Sequence, residues 1–169
     1  MWKQFFILCV LGLPGLVHSE SQQHLPQLKV GMILPLTGAL AEYGQAFQNG
    51  VRLAERDSGE VSKNCSFLVE DSKYEPKTAV AAFQKLVATD GVSVIYNWGG
   101  STSEAIAPLA DRSKVALFVW SADPRVAEGR QAVIRFSNSG ADYGGTLAKF
   151  LIARGYTKVG IVKTENQYI

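Results

Sequence analysis

Leu28-Lys29-Val30-Gly31-Met32-Ile33-Leu34-Pro35-Leu36-Thr37-Gly38 is a short apolar run that ends at a proline and a Thr-Gly turn. The segment after it has a different spacing. From Tyr43 to Arg56, Phe47, Val51 and Ala54 fall on one helical stripe while Arg52, Glu55 and Arg56 face away, which reads as a helix packed by one side. A strand followed by a packing helix is the repeating unit of what comes next. Further short apolar runs lie at Ser66 to Glu70, Val92 to Tyr96, Val115 to Trp120, Val133 to Phe136 and Lys158 to Val162. Helical spacing separates them. One helix starts near Pro76, with Val80, Phe83 and Val87 in phase and the proline in the first turn, where its missing N–H costs nothing. Another starts at Ser101, where Ser101-Thr102-Ser103-Glu104 has the form of a capping box, and Pro108 is expected to kink it. A last one covers about Asp142 to Arg154 and is stopped by Gly155. The alternation predicts an α/β fold with a doubly wound parallel sheet.

Outward toward the N-terminus, Lys3 precedes the apolar stretch Phe5 to Val17, which ends in Val17-His18-Ser19. This is the pattern of a secretory signal peptide over residues 1–19, followed by a leader at 20–27. Gly12, Pro14 and Gly15 interrupt the stretch, and it falls short of the roughly 20 residues that a spanning helix needs. Export is the expectation, to the periplasm. Without Lys3 the chain carries 16 basic against 15 acidic side chains, a net of +1, interspersed without blocks. A nucleic-acid or membrane-surface footprint is therefore not expected. Past the signal, the cysteines and histidines are reduced to Cys65 and His24, too few for a zinc site of those ligands or for an imidazole-dependent nucleophile. The expectation is a non-enzymatic protein without cofactor or metal. Cys65 is expected half-buried at the start of a strand.

In an open parallel sheet, ligands bind beyond the carboxyl ends of the strands, so the loops Pro35 to Glu42, Asp71 to Glu75, Asn97 to Ser101 and Ser121 to Arg125 are the candidate site. No phosphate loop or dinucleotide fingerprint occurs in them. Gly99-Gly100 before Ser101 offers free amides, a hydroxyl and the positive end of a helix, which suit a small carboxylate. Equally, Ser101 can serve only its own helix. Ser121 could add a second hydroxyl or simply shape a turn before Asp123-Pro124. Tyr43 stands either at the rim of the cleft or as a staple on its own helix, and Trp98 and Trp120 lie at strand ends close by. Asp71 is expected to bond to backbone.

The order of Lys29-Val30-Gly31 through Pro35-Leu36-Thr37-Gly38, Tyr43-Gly44, Asn49-Gly50, Asp71 with Glu75-Pro76-Lys77, Asp123-Pro124 and Asn166-Gln167-Tyr168 resembles the leucine/isoleucine/valine-binding proteins, type I periplasmic receptors of ABC transporters. The resemblance implies two α/β lobes closing on an amino acid. The first lobe would occupy residues 28–138, and residues 139–169 would begin the second, with the crossover near Phe136 to Gly140. It implies that Tyr43 lines the side-chain pocket and that the carboxylate-binding serine falls at Gly100 or Ser101. The carbonyl that meets the ammonium would fall at Trp120, a second hydroxyl position at Ala122, and an aromatic from the second lobe at Tyr168. Alanine at 122 and tryptophan at 120 depart from the family pattern. A cysteine that pairs within the first lobe of some members is replaced near Tyr74, in line with the single Cys65. The function implied is capture of a small carboxylate, a branched-chain or other amino acid, for an ABC transporter permease by a monomeric protein. A ligand-sensing receptor domain of the same fold is the alternative.

Overall fold

The computed structural model describes residues 27–59 and 63–162. The signal segment 1–19, the leader up to residue 26 and Tyr168 lie outside the described residues. The elements run in order β1 (Leu28–Leu34), α1 (Ala41–Asp57), β2 (Cys65–Asp71), α2 (Pro76–Ala88), β3 (Val94–Trp98), α3 (Gly100–Ser113) and β4 (Ala116–Trp120). A 3-10 turn (Pro124–Val126), β5 (Val133–Arg135) and α4 (Gly140–Ala153) follow. The five strands form one sheet in the order β2-β1-β3-β4-β5, and every pairing is parallel. Met32 of β1 sits between Val69 of β2 and Tyr96 of β3. The winding reverses at β1, so β1 and β3 are the pair between which loops diverge and a crevice opens.

Apolar spacing explains the two layers. α2 buries Ala79, Ala82, Phe83 and Leu86, and α3 buries Ile106, Ala107 and Ala110, all against Ile33, Ile95, Leu117 and Val119 on one sheet face. Large side chains buried this way contribute about 1.5–3 kcal/mol each, which makes this face the centre of stability. On the opposite face α1 lays Phe47 and Val51 over Met32, Leu34 and Trp98; Ala54, expected on that stripe, is exposed. α1 can approach because residue 44 is glycine: a Cβ there would lie 2.1 Å from the Pro35 carbonyl oxygen. Its cover stops short of the β4–β5 edge, leaving Phe118, Trp120, Ile134 and Phe136 between 36% and 45% exposed.

Several boundaries differ from the sequence expectation. β3 starts at Val94 rather than Val92, because the Val92 amide donates to the Leu86 carbonyl (3.0 Å) and closes the end of α2 before strand pairing begins. α3 starts at Gly100 with Gly99 as its N-cap and no side-chain cap, so Ser101 lies inside the first turn and the Ser101/Glu104 capping box does not form. The capping box in this chain belongs to α4, where Ser139 accepts from the Asp142 amide (3.1 Å) and the Asp142 carboxylate accepts from the Ser139 amide (3.0 Å). α3 continues through Pro108 to Ser113 and ends at Lys114, whose φ of 57° is left-handed. The sixth strand expected at Lys158 to Val162 is not one: the segment pairs with no described strand, and Val159, Ile161 and Val162 are exposed. A strand is defined by its hydrogen-bonded neighbour, which apolar spacing alone does not supply. Cys65 is half-buried at the first position of β2, as expected.

Candidate functional site at the carboxyl ends of the strands

The loop after β1 is held by Asp71 at the end of β2. Its carboxylate accepts from the amides of Leu36 (2.8 Å), Thr37 (3.3 Å) and Lys73 (2.9 Å) and from the Thr37 hydroxyl (2.5 Å). Burial pushes this carboxyl up, but the Thr37 hydroxyl and the three amides together outweigh it and hold the group below its ordinary 3.8. Asp71 is thus an ionised clamp between two loops: three of its four bonds come from backbone amides, as expected, and the fourth from the Thr37 hydroxyl.

The next turn was not legible in the sequence. Ser72 is buried, its amide donates to the Leu34 carbonyl (2.8 Å), and its hydroxyl accepts from the Tyr74 amide (3.2 Å). Lys73 and Tyr74 both take left-handed backbone, with φ of 51° and 61°, a conformation that costs a residue with a side chain free energy and that the surrounding bonds must impose. The result is that the Tyr74 ring reaches Trp98 (centroids 5.7 Å apart) and lies over Gly99. A Cβ on Gly99 would stand 2.3 Å from that ring, and Gly99 itself has φ 116°, so only glycine fits. Trp98 is buried and stacks on Tyr43, with centroids 5.1 Å apart and planes 16° from parallel. Tyr43, in the first turn of α1, keeps 46% of its surface exposed.

α3 begins beside these rings. The amides of Gly100, Ser101 and Thr102 are in its first turn and have no acceptor one turn back. Thr102 and Ser103 point inward: both are fully buried, and their hydroxyls lie 3.0 and 2.7 Å from the Asn97 side-chain amide. With its nitrogen toward the Ile33 carbonyl (3.3 Å) and its oxygen toward both hydroxyls, Asn97 ties β1, β3 and α3 together. Ser101 is the exception in this turn, half-buried and with no hydrogen-bond partner for its hydroxyl among the described residues.

The remaining candidates have other engagements. The Trp120 carbonyl accepts from the Gly99 amide (3.1 Å), and its ring lies on the sheet face, edge-on to Phe47 and Phe136. Ser121 is buried; its hydroxyl accepts from the Asp123 amide (3.3 Å), and its carbonyl accepts from the Ser137 hydroxyl. The Ala122 carbonyl accepts from the Gly140 amide (3.4 Å). Asp123 is paired with Arg125, whose hydrogen bonds hold its carboxyl low against the opposing effect of burial. Tyr43, Trp98, Tyr74, Gly99 and the start of α3 therefore form one cluster, while Ser121 and Ala122 serve the turns that follow β4. Among the described residues no group of three His, Cys, Asp or Glu side chains could hold a metal ion, and no helix is long and apolar enough to cross a membrane.

A parallel sheet that reverses at β1, with helix-start amides that lack acceptors and an aromatic cluster at the switch point, has its crevice where open α/β sheets hold ligands. Residues 27–168 match the periplasmic binding protein family, and the chain belongs to it. It is 32% identical over 109 residues to a Leu/Ile/Val-binding protein of Rhizobium johnstonii, covering 62% of this chain and 27% of that protein. Its fold superposes with a TM-score of 0.69 on a solute binding protein of an ABC transporter from Rhodopseudomonas palustris in complex with 3,4-dihydroxybenzoic acid. That pair shares 26% identity over 76% of this chain and 37% of the other. A leucine binding protein from Thermotoga maritima gives a TM-score of 0.68 at 25% identity, covering 75% of this chain and 37% of that one. The chain thus spans well under half the length of the relatives it matches.

Proposed function

We propose that this chain provides the first of two ligand-gripping lobes of an extracytoplasmic solute-binding protein that captures a small organic carboxylate for an ABC transporter permease. Residues 28–138 constitute that lobe, and 139–169 begin the second. The observation that carries the reading is the start of α3, at the switch point of the sheet: its amides lack acceptors, the Ser101 hydroxyl has no partner among the described residues, and Trp98, three positions before Ser101, stacks on Tyr43. Relatives named for Leu/Ile/Val and a neighbour holding a dihydroxybenzoate support a carboxylate-bearing ligand as the common chemistry, and membership of a periplasmic binding protein family supports a location outside the cytoplasm. The boundary near residue 138 is supported by α4, which buries none of its residues.

The test is calorimetry on the full-length gene product with small carboxylates, amino acids included. A hydrogen bond to a charged group is worth about 1.5–3 kcal/mol, so Ser101→Ala is expected to weaken binding by one to two orders of magnitude, with Ser121→Ala having a smaller effect. Unchanged affinity in Ser101→Ala removes the start of α3 from the site.

A further inference from the structure

We infer that Tyr74 is a positioning residue for the candidate site: its ring, set against Gly99 by two left-handed residues, fixes the first turn of α3 where its amides and the Ser101 hydroxyl meet a ligand. The inference rests on the carboxylate-capturing reading above. It gives Tyr74 a role exercised through the backbone of Gly99, not a contact with the ligand.

A helix start that offers its amides to a ligand cannot tie them up in a cap. Serine, threonine or aspartate at the N-cap would accept from an amide of the first turn; Gly99 stands there instead and leaves those amides open. It also leaves the helix start without a local anchor, because glycine has the most backbone freedom of any residue. On the sheet side Gly99 is held by hydrogen bonds. Its amide donates to the Trp120 carbonyl (3.1 Å), and its carbonyl accepts from the Ser103 amide (3.1 Å) and hydroxyl (2.5 Å). On the other side the Tyr74 ring edge fills the space of the missing side chain. A Cβ on Gly99 would lie 2.3 Å from Cε2 and 2.9 Å from Cδ2 of that ring. Glycine is needed to admit the ring, and the ring removes the freedom that glycine brings.

The chain keeps a strained turn to deliver this contact. Two successive left-handed residues, Lys73 and Tyr74, persist only where their surroundings impose them. Buried Ser72 imposes them here: its amide donates to the Leu34 carbonyl (2.8 Å), its hydroxyl accepts from the Tyr74 amide (3.2 Å), and its carbonyl accepts from the Glu75 amide (2.8 Å). The Lys73 amide is held by Asp71 (2.9 Å). The ring then reaches both Gly99 and Trp98, on which Tyr43 stacks. The Tyr74 hydroxyl has no partner among the described residues, so the ring is the part that is used.

Two measurements on the full-length gene product test the role, with Tyr74→Leu removing the ring and Tyr74→Phe keeping it. Neither replacement is β-branched, so neither adds to the strain of the left-handed backbone. Hydrogen exchange followed by NMR reads the backbone without any ligand. In Tyr74→Leu the Gly99 and Ser103 amides are expected to exchange about tenfold faster relative to Leu117 of β4, through local opening, and in Tyr74→Phe at the rate of the unaltered protein. Equal acceleration at Leu117 means that the ring only stabilises the lobe as a whole, and no acceleration means that Gly99 is held without it; either overturns the inference. Calorimetry with leucine and with 3,4-dihydroxybenzoate reads the consequence. Whichever binds is expected to bind Tyr74→Leu about tenfold more weakly and Tyr74→Phe as before, and adding Ser101→Ala to Tyr74→Leu is expected to weaken it by less than about threefold more, since groups acting as a unit are not additive. Fully additive losses, or a loss in Tyr74→Phe equal to that in Tyr74→Leu, overturn the positioning role and leave the carboxylate site standing. If neither carboxylate binds, the reading beneath the inference fails and takes the ligand role of Tyr74 with it.

Discussion

α3 and α4 are both 14 residues long, yet they stand at opposite ends of the range of support a helix can have. α3 has no side-chain cap, carries an internal proline and buries six residues. α4 has a complete capping box, carries Leu147, Phe150, Leu151 and Ile152, and buries nothing. A cap is worth about 1 kcal/mol, whereas each large apolar side chain sealed from water contributes about 1.5–3 kcal/mol. Local helix signals thus favoured α4, and tertiary packing favoured α3. The contrast continues into the chain after α4, where Val159, Ile161 and Val162 have strand-like spacing but no described partner strand.

The largest expected effect of this contrast is in hydrogen exchange on the 169-residue chain. Amides of α3 and of the central strands should open only with global unfolding, those of α4 and Lys158 to Val162 by local fraying. A difference in protection of at least about a hundredfold is expected. Equal protection would mean that α4 is held by something the packing does not reveal. Substitution gives a smaller, complementary measure. Ile106→Ala should cost about 2–5 kcal/mol in urea unfolding, as for other fully buried large-to-small changes, while Leu147→Ala should stay within about 0.5 kcal/mol. Similar losses at the two sites would break the comparison.

The smallest effect is in acid. Asp71 and Asp142 both have carboxyls held below 3.8, Asp71 by the bonds from Thr37 and neighbouring amides against the pull of burial, Asp142 chiefly by the Ser139 hydroxyl. A depressed folded pKa contributes stability that is present above the unfolded value and is lost as pH falls through the folded one. Between about pH 5 and pH 2, Asp71→Asn is therefore expected to flatten the decline of the urea midpoint, because Asp71 ties β2 to the loop after β1. Asp142→Asn should leave that decline as in the unaltered chain, because α4 is not coupled to the core. If Asp142→Asn flattens it as much, α4 unfolds together with the sheet.

Much of the fold was legible because periodicity is local. Five strands, the helices between them, the proline-started α2 and the Gly155 stop follow from spacing over ten or fifteen residues, and the family resemblance carried by Pro35-Leu36-Thr37-Gly38 through Tyr43 agrees with the family match. The geometry of the candidate site was legible in outline. Gly99-Gly100-Ser101 could be recognised as a helix start in a glycine turn, and Tyr43 as a ring near it. Tyr74 could not be, since nothing in Ser72-Lys73-Tyr74 announces two left-handed residues, and the occupancy of the Trp120 carbonyl depends on an amide more than twenty positions upstream.

The sequence by itself determined that this chain builds a parallel α/β sheet with donor-rich loops at the ends of its strands, because residue type and spacing set helix, strand and turn within a few neighbours. Only the tertiary structure decided which of those signals matter. It stacked Tyr43 on Trp98, turned Thr102 and Ser103 inward while giving the Ser101 hydroxyl no partner among the described residues, placed donors on the Trp120, Ser121 and Ala122 carbonyls, and left α4 and Lys158 to Val162 without cover from the described residues. Those outcomes depend on which distant groups meet, and a hydrogen bond or a packed ring exists only once the sheet has brought its partner within reach.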